Sequence, residues 1–154
     1  MKFTLSWLKD HLDTSASLDE IADKLTLIGL EVEALVDPSE TFANFEVAEI
    51  TATAPHPAAD RLKICTVKSG GGEQELVCGA PNARTGLVGI LAQEGAVIPA
   101  SGMVLGKAKI RGVESRGMMC SGAELGLSDD HDGIIELEAG ASIGSPAAVA
   151  LGLD

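Results

Sequence analysis

Leu62-Lys63-Ile64-Cys65-Thr66-Val67-Lys68, then Ser69-Gly70-Gly71-Gly72, then Glu75-Leu76-Val77-Cys78 is the stretch on which the fold turns. Two short apolar runs with β-branched residues flank a glycine triplet, which reads as two strands joined by a loose turn. Working outward, Phe45 to Ala52 on one side and Leu87 to Ala92 and Lys107 to Arg111 on the other have the same character. Five short strands separated by Gly, Pro and Asn turns predict a small barrel or sandwich. A short helix is expected near Ser121–Leu125, and about five strands closing around such a helix is OB-fold-like.

The first 36 residues read as helical instead. Ser6 is expected to cap a short turn through Trp7, Leu8, His11 and Leu12. Ser17-Leu18-Asp19-Glu20 is a capping box, in which the serine oxygen and the glutamate carboxylate each satisfy an orphan N–H. Behind it Leu18, Ile21, Ala22, Leu25 and Ile28 recur at helical spacing, and Gly29 supplies a stop. Asp37-Pro38-Ser39-Glu40 reads as a linker. After the barrel, Ile134 to Leu137 reads as a strand, with a short helix beginning near Pro146. The last residues, Leu151-Gly152-Leu153-Asp154, read as running on into a longer chain. The expected fold class is α+β, a five-stranded OB-type β-barrel with a small N-terminal helical unit. Residues 1–38 form that unit, 39–147 the barrel and 148–154 the start of a returning segment.

A chain of 154 residues fits one domain with a small appendage, and no disulfide or metal staple is needed for a core. No apolar run approaches ~18 residues, which excludes a membrane-spanning helix. The charged N-terminus has no secretory h-region. Cys65, Cys78 and Cys120 are odd in number and widely spaced, so they support neither a disulfide framework nor a zinc site. Buried free thiols in a reducing, cytoplasmic compartment are expected. The net charge of −12 counts at first against a nucleic-acid binder. Its distribution says otherwise: residues 1–60 carry net −9, residues 61–116 net +4 and residues 117–154 net −7. A central cationic block suits a polyanion, because phosphate contacts are local and screened within ~10 Å. An unevenly charged solvated surface fits the same numbers.

Within that block, period-two alternation along Lys107-Ala108-Lys109-Ile110-Arg111 places Lys107, Lys109 and Arg111 on one face. Three cations in about 13 Å of strand can follow a phosphate backbone; the same lysines could equally guard an edge strand against aggregation. Arg61, Lys63, Arg84 and Arg116 complete the candidate nucleic-acid-binding set. Stacking aromatics are scarce, which favours backbone contact over base reading. Gly112 to Ser121 is either an RNA-contacting loop or a barrel corner. His56, between two prolines, is expected at the surface. Asp129 to Gly133 fails the EF-hand pattern, since Ser128 and Ala139 fall where carboxylates are required. No nucleotide-binding, zinc-protease or serine-hydrolase motif occurs, so neither a catalytic nor a metal-ligating residue is assigned.

Several long stretches resemble the N-terminal part of the bacterial phenylalanine–tRNA ligase β-subunit family. They are Lys2-Phe3-Thr4-Leu5-Ser6-Trp7-Leu8-Lys9, Leu27-Ile28-Gly29-Leu30-Glu31-Val32-Glu33, His56 to Cys65, Val77 to Arg84, Lys109 to Ser121, and Glu124-Leu125-Gly126-Leu127. Family members often carry Asn and Lys where Ala59 and Arg61 stand here, a departure that keeps the positive charge. The resemblance implies an α2β2 enzyme that charges tRNA(Phe) using ATP and magnesium. The synthetic site lies in the α subunit and editing in a later β domain, leaving this fragment non-catalytic and without a cofactor of its own. It also implies that the helical unit is the first part of a discontinuous domain, and that the barrel is an OB-type tRNA-binding domain with an accessory role. Two other roles remain open: a structural docking module that never touches tRNA, and a free-standing tRNA-binding protein.

Overall fold

The computed structural model describes residues 1–153, which divide into two units, Met1–Pro38 and Ser39–Leu153. In the first unit, α1 (Leu5–His11) is capped by Thr4, whose hydroxyl accepts the Trp7 N–H at 3.2 Å. The expected cap, Ser6, sits one residue inside the helix, because the chain turns helical at Leu5. The next helix, α2 (Leu18–Leu27), carries the capping box as read: Glu20 N–H donates to Ser17 Oγ and Ser17 N–H donates to Glu20 Oε2. It ends in a Schellman motif, with Leu30 N–H on Leu25 O, Gly29 N–H on Thr26 O, and Gly29 at φ +97°. Leu18, Ile21, Ala22 and Leu25 are half-buried, whereas Leu27 and Ile28 are exposed. The expected linker forms a single helical turn, α3 (Pro38–Thr41), with proline at its first position, where a missing N–H costs nothing.

The second unit is built on β1 (Phe45–His56), β2 (Ala59–Ser69), β3 (Gly72–Cys78) and β4 (Val88–Ala92), followed by a short hairpin of β5 (Ala108–Ile110) and β6 (Val113–Ser115), then β7 (Met118–Met119) and α4 (Ala147–Ala150). The main sheet has five antiparallel strands in the order β3-β2-β1-β4-β7, as befits an OB-type barrel. Strand β1 meets β4 along Phe45–Glu49 and β2 along Glu49–His56, so its two neighbours are staggered. Its register slips between Ile50 and Ala52, and the intervening Thr51 hydroxyl donates to Thr66 O at 3.2 Å. Such a bulge bends and twists the strand, as closure of a small barrel requires. Along the outer edge of β3, Val77 N–H donates to Ser115 Oγ of β6 at 3.2 Å.

Alternation along the central strands feeds two cores. Phe45, Val47, Val88, Ile90 and Ala92 pack with Cys120, Leu125, Ala147 and Ala148 on one side. Ala48, Ile50, Cys65, Val67, Leu76, Leu91, Met119 and Ile134 fill the other. Both faces of β4 are therefore covered, which is why all five of its residues are buried. All three cysteines are buried free thiols; burial pushes Cys120 up to about 12, and its bond to Cys78 followed by burial raises Cys65. Leu151 and Leu153 rest against the first core. The end of the expected returning segment, Asp154, lies outside the described residues.

Three element assignments differ from expectation. The fifth strand of the sheet is Met118–Met119 rather than Lys107–Arg111, because β5 is exposed on both faces and has nothing to bury. Ser121–Leu125 makes one turn and no helix: Ser121 and Glu124 bond reciprocally as in a capping box, but Leu127 N–H folds back onto Gly122 O. Residues 134–137 run extended outside any ladder and are held by Ile135 N–H on Cys120 O and Leu137 N–H on Val88 O. Asn82 clamps the same segment, accepting from Ile134 N–H and donating to Ile134 O, and Arg84 grips Glu136 with two bonds of 2.8 and 3.0 Å.

Two outcomes are expected. A Cβ on Gly89 of β4 would stand 2.7 Å from Ile135 O and 3.0 Å from Ile134 Cγ2. Gly89→Ala should therefore lower unfolding stability by about 1–3 kcal/mol, read from urea denaturation at constant slope. The Arg84 guanidinium, followed by Asn82, holds the Glu136 carboxyl down at about 2 from an ordinary 4.5. A carboxylate depressed on folding stabilises above its unfolded value and loses that contribution as pH falls through the folded one. Thermal melts should show a step of lost stability between pH 4.5 and about 2 that Glu136→Gln lacks.

Candidate nucleic-acid interface

The β5–β6 hairpin gathers most of the candidate cations. Its register sets Lys109 directly opposite Glu114, and Ala108 opposite Ser115. Residues two apart share a face, so Lys107, Lys109, Glu114 and Arg116 stand together, three cations around one carboxylate. Glu114 Oε1 accepts from Arg116 Nε at 2.8 Å, and Glu114 Oε2 lies 3.3 Å from Lys107 Nζ. The Arg116 bond, then Lys107, draws the Glu114 carboxyl below its ordinary range.

Arg111 is not on that face. With Gly112 it forms the two-residue turn between Ile110 and Val113, at φ +52° and +88° respectively. Positive φ at both central positions is what the tight hairpin turn demands, and Asn or Gly normally meets it. For a side chain as long as arginine this conformation costs roughly 1–2 kcal/mol. Its guanidinium is thereby carried on the outermost point of the hairpin, exposed to solvent.

Arg61 lies at the tip of the neighbouring β1–β2 hairpin. The register passes from His56↔Ala59 to Pro55↔Lys63, so Asp60-Arg61-Leu62 loops out of the ladder, with Arg61 exposed. Among the described residues Arg61, Lys109 and Arg111 form no ion pair. Lys63 and Arg84 are committed elsewhere: Lys63 Nζ donates to Ala83 O at 2.8 Å, and Arg84 is taken up by Glu136 and Asn82 O. Both fasten the turn around Asn82.

The expectation of a surface histidine at position 56 is overturned. His56 is buried at 5% exposure. Its Nδ1 accepts the Ala58 N–H at 3.0 Å, so the ring proton resides on Nε2, which donates to Ile110 O at 3.0 Å. The imidazole thus joins the two hairpin tips. Its main partner is 54 residues away, and no local spacing could have revealed it. Glu114 was missed as well, although its place between Lys107 and Arg116 across a hairpin was the available signal.

Phe42 and Phe45 face each other edge-on at 5.3 Å and are buried, so neither is offered to a base. An open hollow of about 260 Å³ beside Phe45, Ala96 and Pro99 has Glu40 as the one ionisable residue in its lining. Among the described residues no group of three or more His, Cys, Asp or Glu is placed to hold a metal ion. No helix there is long and apolar enough to cross a membrane. What the arrangement offers is an exposed cationic edge suited to a phosphate backbone.

The chain is 60% identical over 154 residues to the phenylalanine–tRNA ligase β subunit of Rhodospirillum rubrum, covering all of this chain and 19% of that protein. It is 55% identical over 160 residues to the subunit of the same name from Nitrobacter winogradskyi, covering 99% of this chain and 20% of that one. The chain thus spans about a fifth of the length of these curated relatives. A solved structure, a MetRS related protein from Pyrococcus horikoshii, superposes with a TM-score of 0.53 at 20% identity, covering 74% of this chain and 98% of that one. That likeness supports the fold, a five-stranded antiparallel OB-type barrel. A family model described as "Putative tRNA binding domain" matches residues 45–146, from the first residue of β1 to the proline that caps α4. On this match, which takes in every strand, the chain belongs to the tRNA binding domain family.

Proposed function

We propose that the chain is the opening part of a phenylalanine–tRNA ligase β subunit, in which the barrel makes accessory contact with tRNA. The observation that carries the reading is the family match across residues 45–146, in a chain 60% identical along its whole length to a β subunit of that name. On this reading the whole enzyme is an α2β2 ligase of the cytoplasm that charges tRNA(Phe) with phenylalanine. ATP and magnesium serve the whole enzyme, and on this reading the chain itself takes no part in the chemical step. Residues 1–38 are the first part of a helical domain, 39–147 the tRNA-binding barrel and 148–154 the start of the segment that returns to that domain.

Arg61, Lys109 and Arg111 are the backbone-contacting cations of the barrel. Lys107 and Arg116 flank them with part of their charge already met by Glu114. Lys63 and Arg84 act indirectly, by holding the Asn82 turn. Recognition is of phosphate and shape, since the barrel's aromatic pair is buried. A docking role without tRNA contact is favoured by one feature, the exposure of Trp7, Leu27, Ile28 and Leu30 in the helical unit. That exposure belongs to the helical unit, whereas the candidate cations belong to the barrel.

Titrating the chain with tRNA(Phe) from about 50 to 200 mM salt should give weak binding that falls linearly on a log–log plot. Replacing Arg61, Lys109 and Arg111 together by alanine should flatten that slope by roughly one for each phosphate left without its cation. An unchanged slope sinks the assignment, and absence of binding even at low salt leaves docking as the role.

A further inference from the structure

The cationic hairpin is a two-stranded element outside the main sheet, all of whose β5 residues are exposed. Such a piece is expected to move, and ordering a mobile cation against a phosphate weakens the bond it makes there. Two buried polar side chains tie it down. At its base Ser115 Oγ accepts the Val77 N–H of β3 at 3.2 Å. Near its tip His56 Nε2 donates to Ile110 O, the carbonyl that directly precedes Arg111.

We propose that His56 is a positioning residue for tRNA binding: it locks the tip of the β5–β6 hairpin onto the tip of β1–β2, so that Lys109, Arg111 and Arg61 meet the RNA backbone as one preorganised surface. Three observations converge on this. The imidazole is buried, yet both of its nitrogens are satisfied, one by each hairpin. The residue after the bonded carbonyl is an arginine held at positive φ, a conformation that persists when its surroundings over-determine it. Arg61 stands two residues from Ala59, the ladder partner of His56. The imidazole need not touch RNA; it fixes where the cations stand. The proposal rests on the reading of the hairpin as a tRNA surface.

Its test is a double-mutant cycle in the 154-residue chain, read as tRNA(Phe) affinity across salt. His56→Asn keeps an acceptor for the Ala58 N–H but is too short to reach Ile110 O. It should weaken binding roughly tenfold and flatten the salt slope, while His56→Gln, whose amide can reach that carbonyl, should recover most of the loss. In a Lys109→Ala/Arg111→Ala background, His56→Asn should cost nothing further. An equal loss in both backgrounds means a merely structural histidine and overturns the proposal, as does unchanged binding in His56→Asn alone. If Lys109→Ala/Arg111→Ala itself leaves affinity intact, the tRNA surface is wrong and the proposal falls with it. Should His56→Asn fail to fold, amide order parameters of the unmodified chain decide. Values of ~0.85 at Arg111 and Gly112 support a locked tip, and values under ~0.6 refute it.

Discussion

Glu49 is where β1 passes from one neighbour to the other, facing Val88 of β4 on one edge and Lys68 of β2 on the other. That offset between neighbours is the stagger a small barrel needs, since a sheet can close on itself only if its strands are tilted and sheared. The slip at Thr51 adds the bend. Because the strand continues to His56 beyond its β4 pairing, its far half pairs with β2 alone, and the β5–β6 tip is fastened to its end. The shared strand therefore shapes the core and also supplies the platform for the candidate surface.

Burial on both faces is the second consequence. Odd and even positions of β1 and β4 serve different cores, one inside the sheet and one beneath the chain that follows β7. Residues 134–137 join in without forming a ladder, and Asn82 and Arg84 hold them there through Ile134 and Glu136. Ile134 is buried in the core, and the polar bonds beside it set the register of the segment.

How much of this could be read from residues alone followed the range of the interactions involved. The capping box at Ser17, the stop at Gly29 and the strands around the glycine triplet are local, and they form where spacing places them. Lys107 to Arg111 misled because alternation gives the face of a strand but not where the strand ends: Arg111 is taken by the turn, and the sheet uses Met118–Met119 instead. Ser121–Glu124 shows the complementary failure, a cap whose helix is cut short by the reversal at Gly126, which brings Leu127 N–H onto Gly122 O. For the candidate surface, the cationic block was visible as composition. Its sorting into paired and unpaired charges was legible only in part: Glu114 is close in sequence to Lys107 and Arg116, but Arg84–Glu136 joins residues more than fifty positions apart.

The carboxylate of Glu114 has a further effect. Lodged between Lys107 and Arg116, it acts as a built-in counterion in a region where the remaining neutralisation must come from solution. Cations condensed on a nucleic acid are released when basic side chains neutralise its phosphates, and that release drives association. A covalently attached counterion cannot be shed; it can only be turned aside from its two exposed ion pairs. Lys107 and Arg116 thus carry their neutralising charge with them, and the face they share is less cationic than its count of basic residues suggests.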